Sequence, residues 1–120
     1  MTDNNAPVFD FERLEEITAG DAEFTHELVS EFLDNTPDAL DCLEASIADG
    51  NCAQVQLEAH GLKGSCYSLG AQRMGLVAQI LETMAHDGNL AGAEAVLAAI
   101  RQAWTEVDHV LRSHLTRLAA

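Results

Sequence analysis

Residues 59 to 71 read AHGLKGSCYSLGA, which sets an imidazole, an ammonium and two glycines inside a few residues. The chain has 20 acidic residues against six basic ones, and Lys63 is its single lysine. On a helix His60, Lys63 and Gly64 share one face with Gln56 and Tyr67. His60 lies about 100° around from Ala59, at the edge of the apolar stripe, so its ring reaches solvent. Gly61 and Gly64 each cost a helix roughly 1 kcal/mol relative to alanine, so two within one turn point to a need for clearance. An exposed ring with clearance and a cation one turn away suits a phosphoryl group. The neutral ring nitrogen would attack phosphorus while Lys63 offsets charge on the phosphoryl oxygens. An HxxK spacing alone also describes many ordinary surface histidines beside solvated lysines.

Other chemistries have weaker support. Glu23-x-x-His26 and Glu106-x-x-His109 repeat the spacing that carboxylate-bridged metal bundles use. Each histidine, however, lies about 200° from the neighbouring stripe residue, Phe24 or Val107, and so points into water. No metal and no other cofactor is expected on this chain. His86 and His114 have no motif around them and read as ordinary surface or rim residues. Cys42, Cys52 and Cys66 are odd in number and form no CxxC pair, so they read as reduced thiols, with Cys66 packed inward. There is no Walker loop and no room for an ATP-binding domain, which argues against autokinase activity. A net charge of -14 argues against nucleic acid and against an acidic membrane surface. The opening MTDNNAPVFD is not a signal peptide and no stretch has transmembrane length, so a cytoplasmic protein is expected.

The elements that must position His60 are all helical. Apolar residues recur at three- and four-residue steps, and no strand-like alternation persists. A short helix is expected over Phe9 to Thr18, with Phe11, Leu14 and Ile17 on one side and Gly20 as its stop. Asp21 would cap a long second helix whose stripe is Phe24, Leu28, Phe32, Ala39, Leu43 and Ile47, with a bend at Pro37. Asp49-Gly50-Asn51 ends it, and the same signal recurs at Asp87-Gly88-Asn89. Between these signals two helices split at Leu69-Gly70-Ala71, the first carrying an inward stripe of Val55, Ala59, Leu62, Cys66 and Leu69. A last helix from about Leu90 to Leu118 turns Ala93, Leu97, Ile100, Trp104, Val107, Leu111 and Leu118 inward. Short connections make neighbours antiparallel. The expected fold is all-α, an antiparallel up-down-up-down four-helix bundle with a short N-terminal capping helix. Residues 1–8 would be a flexible N-terminus and 9–119 the domain.

The string H-G-L-K-G-S from His60, then L-G-A from Leu69, Arg73-Met74 and Leu81-Glu82, resembles the histidine-containing phosphotransfer (HPt) domain of multistep two-component relays. The start FDFERLEEITAGDAEFTHELVSEFL is similar to that family's N-terminal helices, so the likeness covers nearly the whole chain. The resemblance implies that His60 is phosphorylated on Nε2, that Lys63 contacts the phosphoryl oxygens and that Gly64 leaves room for the group. It also implies a polar residue on the next helix that holds the other ring nitrogen, and the matching position is Glu82. Hairpin geometry is compatible, since His60 and Glu82 come within about 3 Å of the same height, with Gln79 one turn away as the competing partner. Cys66 departs from the family pattern, where a small polar residue is common. The resemblance further implies a free-standing, monomeric carrier that relays phosphoryl groups between receiver domains of a hybrid histidine kinase and of a response regulator. Mg²⁺ would belong to the receiver, and docking would use Gln56, Leu57 and Tyr67. A helical adaptor that binds receivers without carrying phosphate would share the fold and differ only at His60.

Overall fold

The computed structural model describes residues 7–119. Five helices follow in order: α1 (Phe11–Thr18), α2 (Ala22–Ala48), α3 (Cys52–Leu69), α4 (Gln72–His86) and α5 (Ala93–Ala119). The long helices pack as neighbours around a ring, α2 on α3, α3 on α4, α4 on α5 and α5 on α2, while α1 leans on α2 and α3. This is the antiparallel four-helix bundle with a short capping helix. No described helix is long and apolar enough to cross a membrane. Of the segment expected to be flexible, residues 1–6 lie outside the described residues. The Pro7 carbonyl accepts from the Arg73 backbone N–H at 3.2 Å, and Val8 packs against the core.

Local chemistry sets the boundaries. The Asp10 carboxylate accepts from the backbone N–H groups of Glu12 and Arg13, so α1 starts at Phe11 rather than Phe9. Phe9 is buried ahead of the helix, whereas Phe11 is 36 % exposed and lies tilted against the rings of Phe9 and His114, with centroids 4.8 Å apart in each pair. Asp21 caps α2 through the Phe24 N–H, and Asn51 caps α3 through the Gln54 N–H. Helix α2 runs unbroken through Pro37. The second turn signal behaves differently: Asn89 Oδ1 accepts from the Ala91 N–H, Gly92 takes a φ of 84°, and α5 therefore begins at Ala93 instead of Leu90.

All five expected stripe residues of α3 are buried. The stripe expected for α2 is corrected over its first half: Thr25, Val29, Leu33, Thr36 and Leu40 face the core, while Phe24 is 44 % exposed and Leu28 and Phe32 are half-buried. Two threonines can face the core because their hydroxyls donate to carbonyls one turn back, Thr25 to Asp21 at 2.7 Å and Thr36 to Phe32 at 2.6 Å. On α5, Ala103 takes the inward position and Trp104 is half-buried, its ring edge-on to Phe32 at 5.7 Å. Leu118 is half-buried too.

Polar staples tie the helices at their surfaces. Arg101 of α5 donates to Asp41 and Glu44 of α2, Ser46 of α2 donates to Glu58 of α3, and Arg73 of α4 pairs with Glu106 of α5. At the α3/α4 turn, Gly70 has a φ of 124°, its carbonyl accepts from the Asp10 N–H at 2.7 Å, and an added Cβ would stand 2.6 Å from the Asp10 carbonyl oxygen. The same residue thus makes the turn and seats the N-terminal segment. Gly70→Ala should destabilise the fold by about 2–3 kcal/mol, from the strained conformation and the close contact together. Gly50→Ala, at a φ of 68° with nothing within 4 Å, should cost only about 1–2 kcal/mol; urea unfolding of the two variants measures the difference.

Candidate functional site

Helices α3 and α4 bring the candidate site residues together, and their antiparallel register is set by the turn at Gly70. Along the seam, α3 contributes Gln56, His60, Lys63 and Tyr67, and α4 contributes Gln79, Glu82 and His86. Steps of three and four keep both rows on facing sides. The result is a polar ladder. Gln56 Nε2 lies 3.2 Å from His86 Nδ1, His60 Nδ1 lies 2.8 Å from Glu82 Oε2, and the Tyr67 hydroxyl donates to Gln79 Oε1 at 3.2 Å.

The middle rung has a third member. Lys63 Nζ lies 2.7 Å from Glu82 Oε1, so one carboxylate serves the ring with one oxygen and the ammonium with the other. The side chain of His60 is 66 % exposed, whereas those of Glu82 and Lys63 are 18 % and 24 % exposed. Ion pair and hydrogen bonds hold the Glu82 carboxyl below the usual carboxylate range. The bond from Lys63 is the largest cause, the bond from His60 helps, and partial desolvation opposes both. Glu82 is therefore an anion at neutral pH and accepts Nδ1–H, a contact that selects the tautomer of the neutral ring in which Nε2 carries the lone pair. Among the described residues, then, Glu82 is the group at hydrogen-bond distance from the ring, and Gln79 is engaged with Tyr67.

The surroundings keep this face open. An added Cβ at Gly61 or Gly64 would meet nothing within 4 Å. Leu57, one turn before His60, is 66 % exposed. Tyr67 is drawn onto α4 rather than outward: its ring occupies the space where a side chain at Gly75 would stand, 2.6 Å from the ideal Cβ position. Burial raises the Tyr67 pKa above its ordinary value, with the Lys63 charge opposing, so the hydroxyl stays protonated and donates. Gln56 is occupied by His86. Of the three residues expected to dock a partner, Leu57 alone is a freely exposed apolar side chain.

Sequence reasoning missed the other flank. Because the core stripe of α2 is rotated, Leu28 and Phe32 reach the surface beside α3 and, with Ile17, Leu62 and Leu69, line a groove of about 860 Å³ that extends to His60 and Gly64. Glu31 and Glu58 line it as well. The missed signal was the pair of threonines at the true core positions. Gly75 was also missed; a glycine inside a predicted helix, one helix away from the only tyrosine, was the available clue.

The remaining candidates do not gather into a second site. His26 and His109 are exposed, Glu106 pairs with Arg73, and no group of three or more His, Cys, Asp or Glu residues among the described ones has the geometry to hold a metal. Cys66 is fully buried, and burial pushes its thiol pKa up to about 12, so it packs and does not react. His114 lies against Phe11, and burial holds its pKa below the ordinary value, with the Arg117 charge adding to the effect.

A family model described as the Hpt domain matches residues 27–119. No curated protein matches the chain significantly. Two solved structures are similar in fold. Histidine-containing phosphotransfer protein B (HptB) of Pseudomonas aeruginosa PAO1 is 22 % identical, with a TM-score of 0.88 over 94 % of this chain and 98 % of that one. The HPT domain of the Hpt sensor hybrid histidine kinase from Shewanella is 14 % identical, with a TM-score of 0.77 over 94 % and 97 %. With its family model covering most of its length and its fold matching these bundles, the chain belongs to the Hpt domain family and is a histidine phosphotransfer domain of phosphorelay signalling.

Proposed function

We propose that the phosphoryl group is carried on Nε2 of His60 and exchanged with aspartates of receiver domains, one in a hybrid sensor kinase and one in a response regulator. The observation that carries this reading is the exposed ring whose Nδ1 is held 2.8 Å from a half-buried carboxylate, Glu82. In the forward step the Nε2 lone pair attacks phosphorus of the aspartyl phosphate. The bond from phosphorus to the aspartate oxygen breaks, and the aspartate leaves with the electron pair as a carboxylate. The ring takes up one positive charge, and its Nδ1–H remains on the hydrogen bond to Glu82. Reversal on the next receiver regenerates the neutral ring. The chain acts as a stoichiometric carrier without autokinase activity, and Mg²⁺ belongs to the receiver, where it offsets phosphoryl charge.

Docking would cover the outward side of α3 from Leu57 past Gly64 and continue into the groove beside α2. That groove supplies apolar area next to the reacting nitrogen, the kind of surface that gives a transient complex its core. An adaptor without phosphate would need the same surface but not the Glu82 contact, so the carboxylate held against the ring favours the carrier.

The deciding experiment is transfer from a phosphorylated receiver to wild-type protein and to His60→Gln, followed by acid treatment. Acid-labile label on the wild type alone is expected; none on the wild type, or equal label on both, rules the proposal out. Gly64→Ala should slow transfer at least tenfold by taking up open space that the phosphoryl group and the docked receiver would occupy one turn from His60, yet stabilise the free protein by about 1 kcal/mol, because alanine is the better helix former and meets no neighbour. Transfer kinetics and thermal melting read the two effects separately. Leu57→Ser should raise the apparent KM for the receiver about three- to tenfold with little change in melting temperature, which steady-state transfer assays measure.

A further inference from the structure

The cation expected to meet the phosphoryl oxygens is already engaged. Lys63 Nζ lies 2.7 Å from Glu82 Oε1, at the carboxylate whose other oxygen holds the His60 ring. Both side chains are mostly covered, at 24 % and 18 % exposure, so this pair is less screened than a surface contact. Lys63 is the single lysine of the chain. Arg101, Arg73 and Arg112 are paired with acids of α2 and α5, and Arg13 Nε donates to the Ser68 carbonyl.

We propose that Glu82 is a positioning residue that sets the phosphoryl-transfer potential of His60 by holding Lys63 on its own carboxylate when the ring is unphosphorylated. The inference rests on the assignment of His60 as the carrier. When phosphorus bonds to Nε2, a dianionic group arrives beside an ammonium one helical turn away. Lys63 then leaves Glu82 Oε1 for a phosphoryl oxygen, and Glu82 keeps the Nδ1–H of a ring that has become cationic. No net charge is created at the carboxylate by this exchange, since one cationic neighbour departs as another forms. The gain from the new contact of Lys63 is offset by loss of the old one, so the phosphorylated state is not over-stabilised. Such balance suits a carrier that must release its cargo to the next aspartate.

The geometry makes a signed prediction about coupling. Let the measured quantity be the equilibrium ratio of phospho-His60 to phospho-receiver. In the wild type, Lys63→Ala should lower this ratio by less than about threefold, because the lysine gains little on exchanging partners. In the Glu82→Gln background, where an amide still accepts Nδ1–H but no longer forms an ion pair, Lys63→Ala should lower it by roughly tenfold or more, since the whole phosphoryl contact is then lost. Any direct effect of the Glu82 charge on the ring or on the phosphoryl group is common to both Lys63 forms and cancels in the cycle.

Equal effects in the two backgrounds would overturn the proposal. So would a larger effect in the wild type, which would mean that Glu82 aims Lys63 at the phosphoryl group instead of withholding it. A measurement independent of variants comes from ¹⁵N-lysine labelling, which gives one ammonium signal from this chain. That signal should shift on phosphorylation of the wild type, and an unmoved signal in a phosphorylated sample would overturn the exchange of partners. If no acid-labile label forms on the wild type at all, the assignment of His60 fails and this inference falls with it. A labelled wild type with no coupling rejects only the role of Glu82.

Discussion

The Glu82 carboxylate is the point on which the site depends, because it fixes both the ring and the cation that share α3. Its position is not local. Glu82 faces His60 only because α3 and α4 turn back at Gly70 with a register that brings residues ten before and twelve after the turn to the same height. Gly70 in turn is pressed against the N-terminal segment through the Asp10 N–H and carbonyl. The first helix therefore does more than cover one end of the bundle. By clamping the turn it supports the register of the helix pair that carries the candidate site, and Arg13 adds a second tie to the Ser68 carbonyl of α3.

Helix α3 is legible in the sequence because its inward positions are all apolar and its outward ones are not. Val55, Ala59, Leu62, Cys66 and Leu69 leave a single phase for the helix, and once that phase is known the placement of His60 and Lys63 follows from it. The turn at Gly70 adds the register. Spacing alone leaves open the identity of the ring's partner, since Glu82 and Gln79 are neighbours on one face. Tyr67 decides the difference: its hydroxyl engages Gln79, and its ring can reach α4 because residue 75 is glycine. A relation between three residues on two helices is invisible to a pattern read along one.

Helix α2 misleads a sequence reading for a physical reason that applies beyond this chain. It has two adjacent apolar stripes, and the greasier one, with Phe24, Leu28 and Phe32, presents itself as the core side. Burying a threonine hydroxyl is costly only if it lacks a partner, and here the carbonyl one turn back supplies it. Thr25 and Thr36 thus present methyl groups to the core at little polar cost, which frees the phenylalanine stripe for the surface. The groove beside His60 exists because of that rotation. An apolar surface next to an exposed polar ring is a feature that burial-first reasoning assigns to the interior.

The charge arrangement obeys a related constraint. A protein of net charge -14 that receives a dianionic group must keep the local field near neutral or repel it. Lys63 and Glu82 offset each other's charge beside the His60 ring. The arginines Arg73, Arg101 and Arg112 are held by acids of α2 and α5 away from the ring. Binding a free phosphate ion would call for several cations converging on one point, as in sites built to retain it. One lysine shared with a carboxylate is a different design. With His60 as the proposed carrier, it would tolerate the group on a covalent bond to nitrogen but give it little reason to stay, which is the condition a reversible relay imposes on a carrier.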